Sequence, residues 1–316
     1  MKNLKFSNGD EMPMLGLGTS GIKPEEAESV IRSAVEIGYR HFDCSPIHKN
    51  QVAIGEAIQS VVDSGLVTRE DLWITSKLWN DRHLYNDVES ACEEILEEMQ
   101  LEYLDLFLIQ SPVAFRKGVD YPEHEEDFLD EGDAPLEDTW TGMEDCLDAD
   151  LTKHIGLSNF NIEKIQRILD DCMMKPELVQ CEWHPYLPQQ TLHDYCKSNK
   201  LLMSGYALMG SPDRAEMFRN TNEPLLLSEP AIEAIAEKQG CTVAQALIAY
   251  SIKRKTAAIV KASDPAHQKE NFEAFNYSVD REDLRSLIVL SKFRYFKGDE
   301  YVTQGSPYKL TDIWEY

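Results

Sequence analysis

Eight polar residues in this chain of 316 lie at or just past the ends of short apolar runs. Asp43 ends "HFD", Lys77 lies in "WITSKLW" and Gln110 in "LDLFLIQSP". Ser158 and Asn159 follow "HIGL", Gln180 lies in "LVQCEWH", Tyr206 in "LLMSGYALM" and Lys261 in "TAAIVKAS". His48 follows Asp43 by five residues in "DCSPIHKNQ". Asp43, His48 and Lys77 together supply a carboxylate, an imidazole and an ammonium. Those groups can move a proton beside a charge that steadies a developing anion. One polar residue at the end of an apolar run is ordinary, but eight of them point to a common site.

These residues need a frame that brings their run ends together. The apolar runs read as strands at 14–19, 41–45, 72–79, 104–112, 154–160, 178–184, 201–209 and 256–263. Between them lie amphipathic patterns, with apolar residues at three- and four-residue steps in 87–100 and 228–240. The segment 24–40 opens with Pro and two acids, as a helix N-terminus should. Strands alternating with helices eight times predict an α/β fold, a closed (β/α)8 TIM barrel with its chemistry at the C-terminal strand ends. Ahead of it, "LKFSNGDEMPML" carries Asn-Gly between apolar runs and predicts an N-terminal β-hairpin. Two long non-repeating segments, 113–136 and the tail 294–316, are expected to cover the barrel top as substrate loops. With no linker in between, residues 1–316 read as a single domain.

Composition narrows the partners. Asp and Glu number 56 against 31 Lys and Arg, a net charge of −25 that opposes nucleic acid and anionic membranes. No apolar run reaches ~18 residues, so no membrane span is expected. The seven cysteines form no CxxC and no zinc spacing. The expectations are a cytoplasmic protein with no metal. An anionic ligand would need a local positive site against the overall field.

The chain resembles the aldo-keto reductase superfamily, of the aldose and aldehyde reductase kind, over nearly its whole length. The resemblance rests on "LGLGTS", "GYRHFDCSPIH", "WITSKLWN", "IGLSNF", "HPYLPQ", "GYALMGSPD" and "IVKASDPAHQKENF" taken together. Gly16, Gly18 and Gly21 also satisfy G-x-G-x-x-G, which alone carries no weight. The resemblance implies reduction of a small aldehyde or ketone by hydride transfer from NADP or NAD, usually in a monomer. The family's catalytic set is Asp, Tyr, Lys and His. Asp43 and Lys77 match two positions, while His48 stands at the Tyr position and Gln110 at the His position. A neutral imidazole beside Lys77 is a poor acid, and the imidazolium is populated mainly below ~pH 6.5. Losing general acid catalysis costs on the order of 10²–10⁴-fold.

By the same resemblance, Gly18, Thr19, Ser158, Asn159, Gln180, Tyr206, Ser211, Asp213, Lys261, Ser263, His267, Glu270 and Asn271 would bind the cofactor. Ser158, Asn159 and Gln180 would hold the nicotinamide carboxamide, with Tyr206 stacked on its ring. Val260, Ala262 and His267 replace the Pro, Ser and Arg that are usual there, and Asp264 adds a carboxylate near the 2′-phosphate position, so recognition of that phosphate is expected to be weakened. Ser20 and Ser111, where the family often has large aromatics, imply a wider, wetter pocket walled by Trp79 and Phe115. Tyr295, Phe296 and Trp314 of the tail are candidates to close it. Three functions stay open: a carbonyl reductase with altered acid chemistry, a pseudoenzyme that binds a dinucleotide or other small ligand, and acid–base chemistry without hydride transfer. The first is favoured, because the changes gather at the reacting centre and the 2′-phosphate end.

Overall fold

A computed structural model describes residues 2–214, 219 and 222–315; Met1 and Tyr316, the ends of the expected domain and tail, fall outside them. Eight parallel strands close into a barrel: β3 (Leu15–Gly18), β4 (His41–Asp43), β5 (Trp73–Leu78), β6 (Leu106–Ile109), β9 (Ile155–Ser158), β10 (Leu178–Glu182), β11 (Leu202–Tyr206) and β12 (Ala257–Val260). The final pairing, β12 to β3, sets Ile259 opposite Gly16. All eight coincide with predicted runs, trimmed at their ends. Their near-continuous apolar character fits strands covered on both faces.

The helices wrap the barrel. They include α1 (Ala27–Ile37), α2 (Gln51–Asp63), α3 (Tyr85–Met99), α4 (Leu136–Asp148), α5 (Ile162–Asp171), α6 (Gln190–Ser198), α7 (Pro230–Gln239), α8 (Val243–Lys253) and α9 (Pro265–Phe272). The N-terminal hairpin pairs β1 (Asn3–Lys5) with β2 (Glu11–Pro13). Its turn is held by Asn8 Oδ1, which accepts the Asp10 amide at 3.0 Å. Behind the hairpin, His154 is buried between Glu177 (2.6 Å) and Asp10 (3.0 Å) and packs on Phe6 and Trp73.

The long segment 113–136 is not wholly irregular. Ala114–Phe115 (β7) pairs antiparallel with Phe128–Leu129 (β8). The tail docks on this hairpin: Trp79, Val113, Phe115, Phe128, Tyr301 and Trp314 belong to one buried cluster. α10 (Arg281–Ile288) and α11 (Leu310–Ile313) flank the tail's irregular part. Among the described residues no helix is long and apolar enough to cross a membrane.

Candidate active site at the C-terminal strand ends

The ends of β4, β5 and β10 meet in one buried charge network. Lys77 Nζ donates to Asp43 Oδ1 at 2.6 Å and to the Cys44 carbonyl at 2.9 Å, while Gln180 Nε2 donates to Asp43 Oδ2 at 2.7 Å. The Lys77 and Asp43 side chains are only 3% and 7% exposed. A buried pair of this kind needs further partners, and here the Cys44 carbonyl takes a second lysine proton while Gln180 serves the second carboxylate oxygen. Parallel register places Asp43 beside Gly18 and Gln180 beside Ser158, so short-range pairing assembles residues far apart in sequence.

His48 ends a tight turn begun by Pro46, whose fixed φ suits the first helical position. The His48 amide donates to the Ser45 carbonyl at 3.1 Å, and Lys49 leaves the turn in a left-handed conformation (φ 55°). The half-buried imidazole places Nδ1 3.3 Å from Thr19 Oγ1. Thr19 Oγ1 also lies 3.1 Å from the Asp43 carbonyl, to which it donates. Burial, reinforced by the Lys77 and Lys261 cations and opposed by Asp43, pulls the His48 pKa down to about 4. Gln110 sits across the same turn. Ser45 Oγ donates to Gln110 Oε1 at 2.8 Å, which leaves the amide NH2 without a partner among the described residues.

Next to this centre, Asn159 adopts φ 63°, a left-handed conformation that Asn tolerates. Its Nδ2 donates to the Gln110 carbonyl at 2.9 Å and to Ser158 Oγ at 3.2 Å; its Oδ1 accepts from the Tyr206 hydroxyl at 2.7 Å. Burial raises the Tyr206 pKa well above that of a free phenol, so it stays neutral. Two groups in this network keep unused capacity among the described residues, the Ser158 hydroxyl proton and Gln180 Oε1. A donor and an acceptor side by side complement a primary carboxamide. On that ground the residues fit the nicotinamide end of a dinucleotide.

At the far end, Lys261 pairs with Asp213 in the loop after β11. The lysine arches over Gly21 (φ +72°), where a Cβ would lie 2.9 Å from Nζ. Gly210 and Ser211 turn that loop with φ of 79° and 43°. A Cβ on Gly210 would fall 2.8 Å from the Tyr295 ring. Ser263 and His267 are exposed, Glu270 is half-buried and Asn271 is buried. Glu270 Oε1 accepts from Thr242 at 2.8 Å. Asp264 caps α9, accepting the Ala266 and His267 amides at 2.8 and 3.3 Å. The helix N-terminus that could hold a phosphate is thus already occupied by the chain's own carboxylate.

Ser20 is exposed, whereas Ser111 is buried and donates to Asn80 Oδ1 at 3.0 Å. Tyr301 from the tail packs in the same cluster as Trp79 and Phe115. Its ring centre lies 6.1 Å from that of Phe115. Trp79 is 6% exposed, edge-on to Phe115 and Tyr121, with a buried indole nitrogen that has no partner among the described residues. Trp79 also borders a groove of about 580 Å³ shared with Ile47, Lys49, Asp81 and Asp120. Of the tail aromatics, Phe296 meets the Tyr206 ring edge-on at 5.5 Å, and Arg294 lies over the Trp314 ring. Ser45, Asn80 and Tyr301 are absent from the sequence-based set. Ser45 carried a signal in its place within "DCSPIH"; Tyr301, in a tail without periodicity, carried none. Among the described residues no group of three or more His, Cys, Asp or Glu is arranged to hold a metal ion.

The Aldo/keto reductase family profile matches residues 13–290. Aldo/keto reductase slr0942 from Synechocystis sp. is 38% identical over 316 residues, covering 100% of this chain and 97% of its own. Aldo-keto reductase family 1 member A1 from Xenopus tropicalis is 39% identical over 291 residues, with 91% and 88% covered. The structure of the aldose reductase from Schistosoma japonicum superposes with a TM-score of 0.87 at 37% identity, covering 98% and 99% of the two chains. The barrel, its strand-end network and these likenesses agree: the chain belongs to the aldo/keto reductase family, whose members generally reduce small carbonyl compounds with NAD(P)H.

Proposed function

We propose that this protein is an NAD(P)H-dependent reductase of small polar aldehydes or ketones in which the imidazolium of His48 replaces the usual phenol as proton donor. The observation that carries this reading is the intact Lys77–Asp43–Gln180 network beside the unused Ser158 and Gln180 groups. A bound dinucleotide supplies the hydride. Ser158 and Gln180 orient its carboxamide, and Tyr206, pinned by Asn159, offers its ring face. The Gln110 amide donates to the substrate oxygen. The Lys77 cation steadies negative charge developing on that oxygen. His48 gives up a proton only when doubly protonated, which its low pKa makes rare at neutral pH.

Asp264 on the N-terminus of α9 supports NAD alongside NADP, because a 2′-phosphate there would meet a carboxylate. The same reading takes residues 1–316 as one domain of a cytoplasmic monomer. Seven unpaired cysteines suit a reducing compartment.

A second reading, a dinucleotide-binding protein without turnover, is favoured by one observation: the imidazole is tied to Thr19 at Nδ1. Titration with NADH and NADPH by intrinsic fluorescence, followed by aldehyde-reduction assays from pH 5 to 8, separates the two. Binding with no reduction at any pH refutes the first. Failure to bind either nucleotide refutes both.

A further inference from the structure

We infer that Thr19 fixes the neutral imidazole of His48 in the tautomer that leaves Nε2 bare, so that near pH 7 the site recognises an alcohol hydroxyl in preference to a carbonyl oxygen. The inference rests on the site assignment above. Thr19 is fully buried, and its hydroxyl has a single proton. That proton goes to the Asp43 carbonyl at 3.1 Å, which can only accept. The lone pairs of Oγ1 then face His48 Nδ1 at 3.3 Å, which must carry the hydrogen. In a neutral ring with Nδ1 protonated, Nε2 is an acceptor.

Gln110 shows the opposite polarity. Its Oε1 is taken by Ser45 at 2.8 Å, so its free group is the NH2 donor. The turn that carries His48 thus holds a bare acceptor and, through Ser45, adjoins a residue with a bare donor. A carbonyl oxygen accepts only, and would face the Nε2 lone pair with its own. A hydroxyl both donates and accepts, and satisfies both partners. The consequence differs from loss of an acid: at neutral pH the site is matched to the alcohol side of the reaction. Protonation of Nε2 at acid pH turns the acceptor into a donor and restores the match to a carbonyl.

The test is long-range proton–nitrogen NMR on the full chain labelled with ¹⁵N-histidine, with and without NADP(H), at pH 7. His48 signals are assigned by their loss in His48→Ala. The expected result is Nδ1 protonated and Nε2 unprotonated. An Nε2-protonated ring overturns the inference. In Thr19→Val the Nδ1 acceptor is gone, and the Nε2-protonated form should become populated; an unchanged tautomer overturns the role of Thr19. If that variant does not fold, the wild-type spectrum still decides. Competitive titration of the NADP(H)-loaded protein with benzyl alcohol and benzaldehyde should favour the alcohol at least about fivefold at pH 7, the worth of about one net hydrogen bond. It should lose that preference by pH 4. Equal or reversed binding at pH 7 overturns the ligand assignment. Failure of the dinucleotide to bind would refute the proposed function instead, and the tautomer would still be measured on the unloaded chain.

Discussion

If His48 must be an imidazolium to act, the rate of carbonyl reduction should follow its protonated fraction. With the pKa near 4, about one ring in a thousand is protonated at pH 7 and about one in ten at pH 5. The rate at saturating aldehyde and NADPH should therefore rise about tenfold per unit of falling pH, close to a hundredfold from pH 7 to pH 5, and level off only near pH 4. An ordinary, solvated histidine would instead bend near 6.5 and gain only about fourfold from pH 7 to its plateau. The assay is kcat from initial rates after a rapid pH jump, with circular dichroism at each pH showing that the fold persists. His48→Gln should flatten the profile and remove the acid-side gain. A profile that breaks near 6.5, or a rate that stays level from pH 7 to pH 5, would refute the argument that burial and the Lys77 charge hold the proton off this ring.

Further outcomes can be checked on the same protein. The double variant His48→Tyr with Gln110→His should raise reductase kcat at pH 7 on the order of 10²–10⁴-fold and make it nearly independent of pH between 5 and 7; no gain would show that more than the acid is altered. Asp264→Ala should tighten NADPH relative to NADH by about tenfold or more, from one removed repulsion at the α9 N-terminus, measured by fluorescence titration. Acid should weaken the fold. The pKa of His83 is pushed down to about 3 and that of His48 to about 4, so between pH 6.5 and those values the unfolded chain binds more protons, and stability falls as pH falls. At pH 5 each contributes a loss of about 2 kcal/mol, visible in urea unfolding. His83→Leu should flatten that slope with little cost at pH 7, because His83 Nε2 is buried without a partner among the described residues. Lys77→Met should destabilise by about 3–5 kcal/mol, because it leaves Asp43 charged and buried, and adding Asp43→Leu should recover most of it.

Most of the barrel was legible because its signals are periodic. Eight apolar runs separated by amphipathic segments have few other ways to fold, and Asp43, Lys77, Gln110, Ser158, Gln180 and Tyr206 stand at run ends where a parallel barrel gathers side chains. What stayed hidden depends on contacts between distant, non-periodic segments. Tyr301 lies in a tail with no repeating pattern, so nothing in the chain marks it as the residue that packs against Phe115. The paired strands β7 and β8 are two residues each, too short for an alternation to register. Asp264 could be read as a charge, but its hold on two amides of α9 depends on a conformation that Pro265 only suggests. The partner of His48 was invisible for a similar reason: the Thr19 hydroxyl reaches it only because β3 and β4 lie side by side.

The energetics of the buried network bear on whether the site is in use. A charged pair as enclosed as Lys77 and Asp43 gains little stability over apolar residues of similar volume, and such replacements often stabilise by about 1–4 kcal/mol. Cys44 and Gln180 satisfy the pair without removing its desolvation cost. The network is therefore better explained by what it does to a ligand than by what it does for the fold. An ammonium fixed beside Asp43 is suited to stabilising an alkoxide oxygen, whichever direction the hydride moves. Reduction additionally needs a proton at that oxygen, and on the proposed assignment this is where His48 differs from a phenol: its proton would be available in acid, while in neutral solution its Nε2 would accept. On the proposed assignment, the Lys77–Asp43 half of the site is compatible with both directions, and the protonation state of one imidazole would bias which ligand it matches.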